Sequence, residues 1–264
     1  MRTRPIPRSG ELLPVIGLGT WQTFDTRELV PLKEVVTGFF DAGCRVIDSS
    51  PMYGRSEETT GKLVSQPHAF LASKVWIEGK AEGEAQMRRS MKLMGREHGF
   101  DLMQVHNLVD VDVHLETLRA WKADGVFRYL GITHYQPSAF DELERLMKTE
   151  SLDFVQLPYS LSAREAEARL LPCAKDTRTA VLVMQPFAEG RLLAPMRGRE
   201  IPDWASARGF ESWAELFLAF ILRREEVTCV IAATAKVSHL REFVRAGKGP
   251  ELDDEGEQLL INVL

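Results

Sequence analysis

The sequence predicts an α/β fold, a (β/α)8 TIM barrel with a short N-terminal β-hairpin. Three observations carry that prediction. The chain has 264 residues, a length common for one such barrel. Eight short runs are apolar, β-branched and near-continuous rather than alternating, as parallel strands covered on both faces are. Amphipathic helical patterns stand between them, and strict alternation of strand and helix implies right-handed βαβ units. The expected organisation is one barrel domain over 1–264.

The strand runs are VIGLG at 15–19, RVID at 45–48, FLASKV at 70–75, DLMQVH at 101–106, FRYLGIT at 127–133, DFVQL at 153–157, AVLVMQ at 180–185 and TCVIAAT at 228–234. The first helical stripe is Leu29, Leu32, Val35, Val36, Phe39 and Phe40. Met87, Met91 and Met94 make the next, and Leu115, Leu118 and Trp121 another; all read as faces packed on the sheet. Ser138 with Asp141 forms an S-x-x-D start before Leu143, Leu146 and Met147. Gly43 and Gly125 fall where helices should stop. The stretch from Pro186 to about Arg208 is long and rich in Gly and Pro, so it reads as a loop over the barrel mouth with a short helix. A last helical pattern is ELDDEGEQLLINVL at 251–264.

Composition narrows the function. The chain is 44% apolar and 27% charged, ordinary for a globular protein with a sizeable core. Its net charge is −5 and no basic block stands out, which argues against a nucleic-acid partner. No 18-residue apolar stretch exists, which argues against a membrane span, and the basic N-terminus lacks an apolar h-region. Cys44, Cys173 and Cys229 are widely separated and read as buried thiols of a cytoplasmic protein. His68, His98 and His114 sit among polar neighbours and are expected at the surface; no spacing suggests a metal site. RREE at 223–226 reads as a solvated helix end.

Polar residues end the strand runs: Thr20, Asp48, Lys74, His106, Thr133, Gln156, Gln185 and Thr234. In a barrel these positions converge on the rim where active sites of this fold lie. Tyr53 follows Asp48 in VIDSSPMYG. A phenol has a reference pKa of about 10, and a nearby ammonium lowers it. Asp48 can hold Lys74 charged, Lys74 can stabilise the Tyr53 phenolate, and a neutral His106 can donate to a substrate oxygen. Such a set suits carbonyl reduction, with hydride from a cofactor.

The sequence resembles the aldo-keto reductase family almost end to end. The resemblance rests on GLGTW at 17–21, VIDSSPMYG at 46–54, SKVW at 73–76, VHN at 105–107, YLGITHY at 129–135, VQLPYS at 155–160, QPFAEGRLL at 185–193 and CVIAATAKVSHLRE at 229–242. It implies that Asp48, Tyr53, Lys74 and His106 are catalytic, with Tyr53 the general acid. It implies a cofactor, NADPH, laid across the barrel mouth. Gly19, Thr20 and Trp21 would line the nicotinamide end, where Asp48 also lies. Thr133, His134 and Gln156 would meet the carboxamide. Met184 would face the nicotinamide; Gln185, Pro186, Phe187 and Gly190 would cover the pyrophosphate. Thr234, Lys236, His239 and Glu242 would hold the adenosine end. Trp21, Tyr53, Trp76 and His106 would form the substrate pocket, with Met52 on its apolar rim.

Several positions depart from the family pattern. Met184 stands where an aromatic is common, and His134 where an asparagine is usual. Ala233, His239 and Phe243 replace the usual lysine, arginine and asparagine near the adenine, so Lys236 and Arg241 are expected to supply the positive charge. NADPH is preferred over NADH. A short loop after His106 and no long C-terminal tail imply an open site. The expected function is reversible, NADPH-dependent reduction of aldehydes or ketones. The alternatives are a catalytically weak, cofactor-binding regulatory subunit and, third, a Schiff-base lyase using Lys74. The expected partner is a small-molecule carbonyl; the oligomeric state stays open, with a monomer favoured.

Overall fold

The computed structural model describes residues 1–263. Leu264, the end of the last helical pattern, lies outside the described residues. The chain opens with an antiparallel hairpin, β1 (Thr3–Pro5) and β2 (Leu12–Pro14), as expected. Eight parallel strands then close into a barrel: β3 (Ile16–Gly19), β4 (Val46–Asp48), β5 (Phe70–Val75), β6 (Phe100–His106), β7 (Phe127–Thr133), β8 (Phe154–Pro158), β9 (Ala180–Met184) and β10 (Val227–Ala233). Closure is made by β10 pairing with β3, Val230 opposite Ile16. The sequence reading finds each barrel strand to within two residues.

Helices cover the outside: α1 (Val30–Asp41), α2 (Ser56–Leu63), α3 (Lys80–Leu93), α4 (Val111–Ala123), α5 (Phe140–Thr149), α6 (Leu170–Asp176), α7 (Asp203–Ala207), α8 (Trp213–Leu222), α9 (Val237–Lys248) and α10 (Asp254–Ile261). The stripe of α1 buries Leu32, Val35, Val36 and Phe39 as its 3.6-residue period requires. Gly43 and Gly125 follow α1 and α4 with φ of 86° and 72°, left-handed values that end a helix without a Cβ penalty.

The hairpin plugs the N-terminal end of the barrel. Its Ile6 and Leu13 are fully buried and pack with Val46, Phe70 and Phe154 from the barrel interior. Arg4 of β1 donates to the carbonyls of Leu222, Arg224 and Val227, where α8 ends and β10 begins.

Three expectations are corrected. Ser138 does not cap α5: Pro137, with φ already suited to a first helical turn, starts a 3-10 turn at Pro137–Ala139, and α5 follows without a side-chain cap. His114 is fully buried, because it lies on the α4 face that packs against α3. RREE is not merely solvated: Arg223 pairs with Asp254, and Arg224 with Glu167 and Glu257. The long loop after β9 does carry the expected short helix, α7, preceded by two 3-10 turns, Ala188–Gly190 and Ala194–Met196. All three cysteines are buried, and His68 and His98 are exposed. Among the described residues no helix is long and apolar enough to cross a membrane.

Candidate active site

Strand registry brings the strand-ending polar groups together. Gly19 pairs with Asp48, Lys74 with Gln104, and Thr133 with both His106 and Gln156. Asp48 ends β4, Lys74 precedes the last residue of β5, and His106 ends β6. Lys74 is 1% exposed. Its Nζ donates to Asp48 Oδ2 and to the Ser49 carbonyl, both at 2.7 Å. The Asp48 carboxylate also accepts from Gln104 Nε2 at 3.2 Å and Gln156 Nε2 at 3.1 Å. A buried ion pair needs such extra donors, since neither charge has water.

Tyr53 hangs over this pair from the turn at 51–55. Lys74 Nζ lies 5.2 Å from the centre of its ring. The Tyr53 and His106 rings meet edge to face, with centroids 5.9 Å apart. His106 Nδ1 is 3.0 Å from Ser50 Oγ. Ser50 Oγ already accepts from the Met52 N–H at 3.4 Å, so its own hydrogen is free for Nδ1. With the Ser50 hydroxyl donating to Nδ1, the imidazole proton sits on Nε2, the nitrogen left for a ligand.

Burial and charge set the protonation states. Burial pulls the Lys74 ammonium down, but Asp48 and then Tyr53 outweigh it, and its pKa is raised. Burial lowers His106 to about 2, with Lys74 adding to the effect, so the ring is neutral at ordinary pH. Burial pushes the Tyr53 phenol up, and the opposing pull of Lys74 does not cancel it. The sequence reading expects Lys74 to win that contest. It does not, because the phenol is shielded from water and Asp48 also opposes ionisation.

These groups sit at one end of a cleft of about 1640 Å³ across the C-terminal mouth of the barrel. Gly19, Thr20, Trp21, Asp48, Tyr53 and Trp76 line it, as do His106, Thr133, Gln156 and Met184. Further along come Gln185, Pro186, Phe187 and Gly190, then Lys236, His239 and Glu242. Two expected cofactor residues stand back from the wall. The His134 ring stacks on Tyr135 at 5.6 Å and takes the Gln136 N–H on Nδ1. Thr234 is buried, and its Oγ1 accepts the Lys236 N–H at 3.0 Å, which shapes the turn into α9. In both, a backbone N–H two residues on takes the side chain's polar atom. Arg241 is exposed outside the cleft, whereas Arg197 and Arg199 line it. Phe243 is buried in a stack on Phe187, centroids 5.4 Å apart, which ties the segment after β9 to α9.

Ser50, Gln104, Tyr135, Arg197 and Arg199 belong to the site and escape the sequence reading. Gln104 was visible in principle: it stands two residues before His106 on β6 and so faces the same way. Thr133 Oγ1 is buried and has no hydrogen-bond partner among the described residues. An orphaned hydroxyl on a cleft wall, with three cations set among five carboxylates at the far end, fits a dinucleotide with an amide at one end and phosphates reaching those cations at the other.

Comparison with known proteins bears on the family and the fold. The family model for the aldo/keto reductase family matches residues 15–259. An aldo-keto reductase of Bacillus subtilis, YhdN, is 27% identical over 69% of this chain and 60% of its own length, so the chain spans less than two thirds of that relative. Among solved structures, an aldo-keto reductase from Klebsiella pneumoniae in complex with NADPH superposes with a TM-score of 0.81 at 25% identity, over 100% of this chain and 95% of that one. A Bacillus halodurans aldo-keto reductase in holo form gives 0.81 at 20% identity, over 100% and 96%, a likeness of fold. The chain belongs to the aldo/keto reductase family.

Proposed function

We propose that the protein reduces aldehyde or ketone carbonyls to alcohols with NADPH, reversibly, and that Tyr53 is the general acid. One observation carries this reading: a buried Lys74–Asp48 pair lies directly beneath a protonated phenol, Tyr53, which touches a neutral imidazole, His106, at the end of an open cleft. The cofactor supplies hydride to the carbonyl carbon. The substrate oxygen lies between Tyr53 Oη and His106 Nε2. His106 donates a hydrogen bond that fixes the oxygen, and Tyr53 protonates it as negative charge develops. Lys74, held charged by Asp48, stabilises the phenolate that remains. In oxidation the same phenolate takes the proton back.

Thr133 and Gln156 would meet the carboxamide, and the 185–190 segment the pyrophosphate. Arg197, Arg199 and Lys236, standing among the Glu189, Glu200, Asp203, Glu211 and Glu242 carboxylates of the distal end, are the cations that would meet a 2′-phosphate and support NADPH over NADH. The Klebsiella pneumoniae relative bound to NADPH supports the same choice. The stack on Phe187 gives Phe243 a packing role, so of the two departures that favour an inactive regulatory subunit, Met184 and Phe243, only Met184 is left without one. The reading extends to a cytoplasmic single-domain monomer acting on small carbonyls.

The test is a titration with NADPH and NADH, followed by an aldehyde and ketone panel at saturating cofactor. Tight NADPH binding with turnover supports the proposal. Tight binding without turnover of any carbonyl returns the regulatory-subunit reading.

A further inference from the structure

The turn after β5, Trp76–Gly79, carries Trp76 onto the cleft wall, where its ring lies 6.5 Å from that of His106. Trp76 is 41% exposed, and such a turn would ordinarily be free to shift. Here three side chains fasten its backbone. Gln86 of α3 accepts the Trp76 N–H at 2.6 Å and donates back to the Trp76 carbonyl at 3.3 Å. His114 of α4 holds the Ile77 carbonyl with Nε2 at 2.6 Å. Asp110, in the turn that follows His106, accepts the Gly79 N–H at 2.9 Å.

The fastening has its own supports. Gly79 has φ of 90°, and Asp110 has φ of 47°, a left-handed value that costs a non-glycine residue free energy. At Gly83 of α3 a Cβ would come within 2.3 Å of His114 Cε1, so a bare backbone admits the buried imidazole. Gln86, Asp110 and His114 thus tie the Trp76 turn both to α3 and to the turn that leads out of His106.

The wall so fixed is apolar. From Gly19 to Gln156 the only charged side chain lining the cleft is Asp48, already paired with Lys74; His106 is neutral. Trp21, Met52, Trp76 and Tyr135 are the large exposed groups of that half. The unpaired cations lie beyond β9, at the other end.

We propose that Gln86, Asp110 and His114 are positioning residues that hold Trp76 as a rigid wall, so that the site selects uncharged carbonyls with a flat apolar face over small or phosphorylated ones. The proposal rests on the reductase reading above. A wall set before binding spares the substrate the ordering of a loop, and that gain goes only to substrates broad enough to lie on it.

The experiment compares 2-naphthaldehyde, propanal and glyceraldehyde 3-phosphate at saturating NADPH. Wild type is expected to favour 2-naphthaldehyde over both by at least about tenfold in kcat/KM, the scale of an apolar pocket's discrimination. Gln86→Leu should lower the 2-naphthaldehyde to propanal ratio about tenfold, mainly through KM for the aryl substrate, with NADPH affinity within about twofold of wild type. Gln86→Glu, which can still accept the Trp76 N–H, should recover part of the ratio. Equal kcat/KM for the three substrates, or a Gln86→Leu ratio equal to wild type, overturns this inference and leaves the reductase reading standing. No turnover of any of the three by wild type overturns both.

Discussion

The Lys74 ammonium and the Asp48 carboxylate meet at 2.7 Å beneath the cleft, both shielded from water. Asp48→Asn keeps the shape and removes the counter-charge, leaving an ammonium buried without its partner. The expected cost is about 3–5 kcal/mol of folding stability. Lys74→Met leaves the carboxylate with only Gln104 and Gln156 as donors and should cost a similar amount. The double variant has no buried charge, so it should be more stable than the sum of the two losses implies, while turnover stays abolished. Urea unfolding of the four proteins reads this coupling. Strictly additive losses would show that the two groups do not depend on one another.

Removing the phenol tests the acid. Tyr53→Phe should lower turnover by about 10²–10⁴-fold, the usual worth of a positioned proton donor, and leave NADPH affinity within about twofold. Ser50→Ala should act more mildly. It removes the hydroxyl on His106 Nδ1 and lets the imidazole place its proton there, so that Nε2 loses its hydrogen. A fall of about tenfold in kcat/KM at constant NADPH affinity is expected. Turnover by Tyr53→Phe at wild-type rate would move the acid role to another group.

Much of this site was legible because a barrel rim is a one-dimensional address. Asp48, Lys74 and His106 each end an apolar run, so chain order alone puts them on one face. Ser50 and Tyr135 were not legible, since they sit in turns whose direction no periodicity sets. His114 was misread from its neighbours Asp112 and Glu116, although its spacing from Leu118 places it on the packed face. Thr234 and His134 were expected on the cofactor wall, but nearby backbone N–H groups draw their polar atoms aside. The pairing of Phe187 with Phe243 spans two elements far apart in the chain, and no local pattern announces it.

The protonation states predict the shape of the pH profile. His106 is neutral down to about pH 2 and the Tyr53 phenol stays protonated beyond its ordinary value of 10.0. Reduction should therefore show no inflection near 6.5 and should decline only above pH 10, when the acid is lost. Stability follows a different sign. The unfolded chain takes up a proton on His106 near 6.5 while the folded chain does not, so this contribution is present above 6.5 and is lost progressively as pH falls towards 2. His106→Gln should flatten the fall in thermal midpoint between pH 6.5 and 5 relative to wild type. A reduction profile with a half-point near 6.5, abolished in His106→Gln, would contradict a neutral imidazole.

Far from the cleft, Arg4 offers a test of what the N-terminal hairpin does. Its guanidinium donates to the Leu222 carbonyl, left without a helical partner where α8 stops, and to the Arg224 and Val227 carbonyls leading into β10. A cation at that end also meets the negative pole of the helix. Arg4→Ala removes these charge-assisted bonds and leaves the Leu222 carbonyl without its donor, while the Arg224 carbonyl keeps the Val227 N–H, at an expected cost of about 2–3 kcal/mol. In a chain of this size that lowers the thermal midpoint by about 4–10 °C, with kcat/KM at 25 °C unchanged because the hairpin closes the opposite end of the barrel. Arg4→Lys should recover less than half of the loss, since one ammonium cannot span three carbonyls as a planar fork does. Differential scanning calorimetry of the three proteins measures the effect. An Arg4→Ala midpoint within about 1 °C of wild type would show that water satisfies the helix end as well as the arginine does.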